Sequence, residues 1–337
     1  MKKTLIALAL GSITGYVNAA ALVSPMVNGG DDSNVVYSKD GSNLFLGGRA
    51  EFRGDFNGND DGTEVDGTMG DKSRIRINIG GTSEITDTLS AFGFYEAEQT
   101  TADRDDFHQR YAYVGLSSSN YGAVSVGRQN TANVQLSNMS DIGTYTGDQK
   151  AFIGAGNEQQ TNTFAYTGQF NALSVKASYT AGEEADTDGY GLSAIYSFPI
   201  GIDIGLGYTD ADKDQNQVTA GASYSTGGFY TGLTYTNGDT EEYSNLGNKE
   251  DFEGYEFAAQ YMFENNFYAI GAYQNQQVND EDIADFFELT GGYNFNKHVS
   301  TYVAYKFNQL DRNEMNSRYQ YNDDAEDSLR VGLKYMF

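Results

Sequence analysis

Residues Ser328–Phe337 read SLRVGLKYMF, and their polarity alternates from one position to the next. The odd-numbered positions from Leu329 to Phe337 are apolar or aromatic, whereas Arg330 and Lys334 fall on even-numbered positions. A period of two is typical of a β-strand with one apolar and one polar face. An open strand edge of this kind invites aggregation in water. A closed membrane barrel resolves the problem, because lipid covers the apolar face and the edge pairs with a strand from the other end of the chain.

The same alternation recurs from residue 43 onward. Asn43–Gly54 sets an apolar face against a face that carries Arg49, and Lys72–Ile85 does the same with Arg74 and Arg76. Similar segments lie near residues 89–99, 107–117, 121–129, 158–168, 173–181, 189–198, 202–210, 217–225, 229–237, 252–263, 267–276, 286–295, 299–309 and 328–337. The pattern therefore predicts about sixteen strands, each near the length of about ten residues that a tilted strand needs to cross a membrane.

Long connections between these segments alternate with tight ones. The long ones are predicted at 55–71, 100–106, 130–157, 182–188, 211–216, 238–251, 277–285 and 310–327. Strict alternation is expected when one rim of a barrel faces the cell exterior and the other faces the periplasm. We therefore predict an all-β fold, a transmembrane antiparallel β-barrel over residues 43–337, within a single domain that spans residues 22–337.

The N-terminus has the features of an export signal. Lys2 and Lys3 precede a short apolar run, Thr4–Gly15, and small residues follow it, so residues 1–21 are predicted to be a signal peptide cleaved after Ala19 or Ala21. Residues 22–42 form a predicted N-terminal extension with no place in the strand count. It is either a periplasmic tail or a segment that turns up into the lumen.

Composition excludes several classes of function. The formal net charge of -26 argues against a nucleic-acid partner and favours cations. The chain contains no cysteine, which excludes disulfides, thiol catalysis and zinc-thiolate sites. Hydrolysis would need a histidine beside a serine or a carboxylate, but the two histidines, His108 and His298, fall at opposite rims of the predicted barrel. We therefore predict that the protein is not an enzyme and that it has neither a cofactor nor a metal site.

Five segments carry a resemblance to a known family. They are Leu46–Arg53, Ser73–Glu96, Arg110–Leu116, Tyr121–Arg128 and Thr301–Asp311. With the leader and the terminal Phe, the chain resembles the general diffusion porins of the Gram-negative outer membrane, and in particular those of vibrios and photobacteria. The resemblance implies a homotrimer of sixteen-stranded barrels in contact with outer-membrane lipid and lipopolysaccharide. It also implies an inward-folded third external loop whose acids face a basic wall.

The resemblance assigns residues to both sides of this constriction. It matches Arg49, Arg76 and Arg110 to the basic wall and Asp141 to a loop acid. Arg74 shares the face of Arg76 and joins the predicted wall, and Asp148 joins the predicted acidic loop. Alternation places Arg49 and Arg76 on the polar face independently of the resemblance, but Arg110 shares its parity with Ala112 and Val114. The other predicted lumen residues are Glu51, Arg53, Glu96, Glu98 and Gln159, where Gln159 stands at a position that is arginine in the enteric relatives. Arg330 and Lys334, on the inner face of the last strand, are also expected to help line the channel wall.

The sequence leaves two alternatives open, one for the arginines and one for the whole protein. The arginines either control flux or pack against Glu51, Glu96 or Glu98. For the whole protein we expect passive diffusion of small hydrophilic solutes and ions, with a mild preference for cations. The alternative is a structural or adhesive surface barrel with little channel activity, and conductance in a planar bilayer distinguishes the two.

Overall fold

Every strand in a membrane has two backbone edges that need partners, and only a closed sheet provides them all. The computed structural model describes residues 33–101, 106–150, 152–183, 187–212, 214–241, 249–310 and 325–337. Within these residues sixteen long strands close an antiparallel barrel, which confirms the predicted fold class. The signal peptide predicted for residues 1–21 lies outside the described residues.

Two short strands accompany the sixteen that form the barrel, and all of them are numbered in chain order. They are β1 Ser33–Lys39, β2 Ser42–Asn57, β3 Gly70–Asp71, β4 Arg74–Thr86, β5 Leu89–Thr100, β6 His108–Ser118, β7 Gly122–Gln129, β8 Gln160–Phe170, β9 Leu173–Thr180, β10 Gly189–Ser197, β11 Ile202–Ala211, β12 Gln215–Thr226, β13 Phe229–Thr240, β14 Glu250–Met262, β15 Phe267–Val278, β16 Glu281–Asn294, β17 Val299–Asn308 and β18 Ser328–Met336. The helix α1, Val134–Ser137, and two 3-10 turns, Asp148–Lys150 and Gly154–Gly156, all lie between β7 and β8.

Barrel closure joins β18 to β2. The two strands run antiparallel, with Leu333 opposite Phe52 and Arg330 opposite Asp55. Phe337 continues the pairing, since its backbone exchanges two hydrogen bonds of 3.0 Å with Gly48. The last strand therefore lies beside the first barrel strand, as the sequence predicted.

The two faces of the sheet differ as the alternation requires. Outward side chains such as Leu206 and Leu192 are 62% and 59% exposed and form the lipid-facing surface. Inward side chains such as Thr219 and Gln217 are almost fully buried. Among the described residues, no helix is both long and apolar enough to cross a membrane.

Two expectations about the strands are wrong. The extension at residues 22–40 was expected to contain no strand, but Ser33–Lys39 pairs antiparallel with β2. β1 pairs with residues 42–47 of β2, and β18 pairs with residues 49–57 along the same edge. Without β1, the backbone groups on the first part of this edge would lack hydrogen-bond partners. The connection expected at 277–285 is only a turn at Asn279 and Asp280, both with positive φ, because β15 and β16 extend further than their apolar alternation.

The connection between β7 and β8, residues 130–159, is here called the inner loop. It folds into the barrel, and α1 packs against β10, β11 and β12. Val134 and Leu136 are buried against this wall. The wall accommodates the loop because inward positions there are glycine: a Cβ on Gly205 would lie 2.3 Å from Leu136. The predicted inward fold of the third external loop is therefore present.

Candidate channel site

The predicted basic wall is formed by neighbouring strands. Arg49 of β2 stands directly opposite Arg76 of β4, and Glu51 stands opposite Arg74, so these side chains share the lumen face. The wall side chains are partly buried, with exposed fractions between 16% and 19% for Arg49, Arg74, Arg76 and Arg110. The structure thus brings together the arginines that the sequence assigned to the wall.

A β-bulge explains how Arg110 reaches the lumen. Glu96 pairs with Tyr111 and Ala97 pairs with Gln109, so Arg110 is the extra residue of β6. A bulge shifts side-chain parity by one position. Val114 therefore faces lipid with 58% exposure, while Arg110 donates a hydrogen bond of 2.8 Å to Glu96 inside the barrel. Alternation alone could not have found this orientation.

Three carboxylates lie between the arginines. Arg74 Nε donates to Glu51 Oε2 at 2.9 Å. Glu98 is shared, since its carboxylate accepts a hydrogen bond from Arg76 and lies 3.5 Å from Arg74 Nη1. Together with the contact between Arg110 and Glu96, these pairs show that every predicted wall acid contacts an arginine. The charge of the wall is therefore partly compensated within the wall itself.

Arg53 and Gln159 are two further predicted lumen residues. Arg53 follows Glu51 by two positions on β2 and therefore shares its face. Gln159 immediately precedes β8, and its backbone N–H donates to Asn130 Oδ1 at 3.2 Å. Gln159 therefore helps to join the two ends of the inner loop.

The predicted loop acids have a cation of their own. Lys150 Nζ lies 3.2 Å from Asp141 Oδ2 and 3.6 Å from Glu158 Oε1. Burial raises the pKa of Asp141 above its ordinary value, although Lys150 opposes this shift. Burial alone would lower the pKa of Lys150, but Asp141 and Glu158 outweigh it and raise the value. The cation beside Asp141 is thus Lys150 of the same loop, a residue that the predicted constriction did not include. Asp148 opens the nearby 3-10 turn and is exposed.

Two wall carboxylates that the sequence reading missed hold the inner loop. Glu288 accepts backbone hydrogen bonds from Thr144 at 2.7 Å and Tyr145 at 2.8 Å. Glu256 accepts one from Gly147 at 2.6 Å and another from Ser140 Oγ at 2.7 Å. A signal for both was present, because each acid alternates with aromatic or apolar residues in the middle of a strand.

The expectation that Arg330 lines the open channel is wrong. It is 1% exposed and makes a bidentate pair with the buried Asp55, with distances of 2.5 and 2.6 Å. Its guanidinium also lies 4.7 Å from the ring centroid of Tyr145 and 3.3 Å from Asp60. Arg330 therefore links β18, β2, the first external connection and the inner loop.

The contacts of the inner loop follow one side of the barrel. Asn130, its first residue, accepts a hydrogen bond from Tyr111 of β6. From Ala132 onward the contacts run from Ser178 of β9 through Ser193 and Glu256 to Ser328 of β18. The arginines belong to β2, β4 and β6, on the remaining arc. Polar side chains thus surround a lumen between the loop and the arginine wall. Among the described residues, no group of three or more acids or histidines could hold a metal ion.

A closed barrel with a lipid-facing exterior and a charged, loop-lined interior defines the class of outer-membrane channel proteins. The sequence pattern of Gram-negative porins matches residues 4–313, and the chain belongs to that family. It is 34% identical to outer membrane protein U of Vibrio parahaemolyticus and 32% identical to porin-like protein L of Photobacterium profundum, with 100% of both chains covered in each case. The protein is therefore an outer-membrane porin, and its relatives are channels rather than enzymes.

Solved structures agree on the fold. The structure of Salmonella typhi OmpF in complex with daunomycin superposes with a TM-score of 0.76 at 20% identity, covering 89% of this chain and 99% of that one. The trimer form of Vibrio cholerae OmpT gives a TM-score of 0.67 at 18% identity, covering 88% and 100%. At these identities the likeness concerns the fold alone.

Proposed function

We propose that the protein is a general diffusion channel whose narrowest part lies between the inner loop and the arginine wall. The observation that carries this proposal is the path of the loop, which follows the wall from β9 to β18 and leaves the arginines of β2, β4 and β6 on the arc opposite it. Small hydrophilic solutes and ions pass through the remaining gap, and larger ones are excluded sterically. Asp141 and Asp148 on the loop and Arg49, Arg76 and Arg110 on the wall act on permeating charges.

A mild preference for cations is part of the proposal. The acidic balance of the chain supports it, since a net charge of -26 concentrates cations near the mouths. The pairing of wall arginines with Glu51, Glu96 and Glu98 supports it further, because paired arginines attract anions less strongly.

Planar-bilayer recording tests both statements. We expect open, ohmic steps and a reversal potential in a KCl gradient that indicates preference for potassium. Anion preference would contradict the selectivity alone. Silence of the folded protein would contradict the channel and favour the structural or adhesive alternative. Swelling of liposomes in a graded series of neutral sugars would measure the size limit.

We also propose a homotrimer in contact with outer-leaflet lipid and lipopolysaccharide. Tyrosines hydrogen-bond carboxylates at the outer ends of strands on one arc of the exterior, an arrangement suited to a membrane interface. The pairs are Tyr179–Asp188 at 2.8 Å, Tyr208–Asp210 at 2.7 Å, Tyr235–Glu253 at 3.0 Å and Tyr305–Asp327 at 2.9 Å. The opposite arc, on β2, β4 and β5, presents outward aliphatic residues such as Ile77 and Ile79 beside small ones such as Ala50 and Gly93, a surface that suits contact with a second subunit.

A bulky substitution on each arc tests the subunit contact. Gly93→Trp points outward, and the only neighbour within 4 Å of its Cβ is a carbonyl at 3.7 Å, so the monomer tolerates it. Gly291→Trp on β16 is the matched control, because nothing lies within 4 Å of that position. We expect Gly93→Trp to abolish the trimer band in unheated gels and Gly291→Trp to keep it. The opposite pattern would move the interface to the other arc.

A further inference from the structure

One peptide unit of the inner loop is held by three successive inward positions of β13. The Tyr230 hydroxyl donates to the carbonyl oxygen of Met139 at 2.6 Å. Ser140 Oγ lies 2.6 Å from Thr234 Oγ1. Gly232 occupies the position between Tyr230 and Thr234. Ser140 and Thr234 are fully buried, so these contacts are shielded from water.

Gly232 brings the two backbones into direct contact. A Cβ at this position would lie 1.7 Å from the carbonyl oxygen of Met139 and 2.6 Å from its carbonyl carbon. No side-chain rotation relieves such an overlap, because both atoms belong to the backbone. Gly221 on the adjacent strand differs, since its Cβ would meet the Met139 sulfur at 2.6 Å, and that side chain can move.

The contact with β13 also fixes the residue that follows it. Asp141 is the next residue after Ser140, and it lies beside Lys150. Ser140 Oγ is additionally 2.7 Å from Glu256 Oε1, so the peptide is held from β13 and β14 together. Tyr230 is the second residue of β13, directly above the turn at 227–228, which places the contact deep in the barrel.

We propose that Tyr230, Gly232 and Thr234 form a clamp that sets how far the inner loop projects into the lumen and thereby sets the conductance. The inference rests on the proposed function, in which this loop narrows the channel. The three residues are positioning residues, because they act on permeating solutes through the loop. Glu256 and Glu288 hold the loop through side chains that can rotate, whereas Gly232 defines the closest approach of loop to wall.

Gly232→Ala tests the steric half of the clamp. To restore ordinary contact, the loop must retreat from the wall by about 1.5 Å toward the arginines. We expect single-channel conductance to fall on the order of 1.5-fold, since van der Waals contact leaves no slack behind the loop. Gly271→Ala is the control, because it faces lipid and its nearest neighbour is 3.8 Å away. Equal conductance in the two folded variants would overturn the proposal.

Tyr230→Phe tests the hydrogen-bonded half without adding volume. Loss of the hydroxyl frees the Met139 carbonyl, and we expect larger open-channel current noise. Tyr261→Phe, on the lipid face of β14 with 47% exposure, is the matched control. This variant also keeps the proposal testable if Gly232→Ala fails to fold.

A disulfide separates a clamp effect from a general loss of order. The chain has Cys 0, and the γ atoms of Ser140 and Thr234 are near enough for a bridge. In Tyr230→Phe/Ser140→Cys/Thr234→Cys, oxidation should restore the quiet wild-type current, and dithiothreitol should bring the noise back. Noise that ignores the redox state would overturn the clamp while leaving the porin conducting. A silent wild type would instead overturn the proposed function and the clamp with it.

Discussion

At the scale of single residues, Glu98 is the carboxylate that several arginines share. It accepts a hydrogen bond from Arg76 and lies 3.5 Å from Arg74 and 4.0 Å from Arg110. Opposite charges at this range attract strongly when water is only partly present. The net positive field at the wall is therefore the field of the arginines reduced by the negative charges of Glu98 and the neighbouring carboxylates.

Glu98→Gln should shift selectivity toward anions. The amide keeps the size of the side chain but removes the charge that offsets three arginines, so the potassium-to-chloride permeability ratio should fall about twofold. Reversal potentials in a KCl gradient measure this ratio. Glu253→Gln, which alters a tyrosine-bonded carboxylate on the exterior, should leave the ratio unchanged. An unchanged ratio in Glu98→Gln would mean that ions do not pass this wall.

Asp141 should make selectivity depend on pH. Because burial raises the pKa of its carboxyl, Asp141 takes up a proton at a higher pH than an exposed aspartate does. Below that pKa the loop keeps the positive charge of Lys150 but loses a negative one, so cation preference should decline as the pH falls. Asp141→Asn should lower the preference at pH 7 and remove this part of its pH dependence.

Reversal potentials recorded from about pH 7 down to about pH 4 test the assignment, since that range covers ordinary and raised aspartate pKa values. Asp188→Asn is a suitable control, because its carboxylate bonds to Gly182 at the rim. If Asp141→Asn and the wild type titrate alike, another acid governs the response.

At the scale of elements, alternation predicted the sixteen barrel strands because lipid outside and water inside impose a period of two. It could not predict the bulge at Arg110. Alternation assigns each residue of β6 to a face by counting positions, and one extra residue reverses that assignment beyond the bulge. It also ended β15 too early and began β16 too late. Residues 277–278 and 281–285 do not alternate in polarity, but ladder hydrogen bonds extend the two strands through them.

Glu288 anchors the inner loop as an element. Its carboxylate accepts two backbone N–H groups, and charge-assisted bonds of this kind contribute about 1.5–3 kcal/mol each. Glu288→Ala should therefore loosen residues 144–145, with larger current noise and a lower mean conductance, because a released loop can move only away from the wall into the lumen. Glu288→Gln should have a smaller effect, because an amide oxygen still accepts. Noise in Glu288→Ala no larger than in the wild type would show that Glu256 alone suffices.

At the scale of the whole molecule, barrel closure decides which distant residues meet. The wall arginines could be assigned from alternation and family resemblance, because their strands are neighbours in sequence. The partners of Lys150, Glu256 and Glu288 could not be predicted, because they are brought together only when the inner loop lies across the lumen. Arg330 was misassigned for the same reason: its parity is inward, but closure places Asp55 directly opposite.

The Arg330–Asp55 pair stabilises the seam where the barrel closes. The carboxylate is 0% exposed, so Arg330→Met leaves an uncompensated buried charge and should destabilise the folded barrel by about 3–5 kcal/mol. Asp55→Leu/Arg330→Met removes both charges and should recover most of that loss, since Asp60 is half exposed and can be solvated. Unfolding in urea, followed by the gel shift of the folded barrel, measures both changes.

Lys72→Met, which removes an exposed partner of Asp60, is the control and should destabilise the folded barrel by less than about 1 kcal/mol. If the double variant is no more stable than Arg330→Met, the contact of Arg330 with Tyr145, rather than charge pairing at the seam, holds this end of the barrel together.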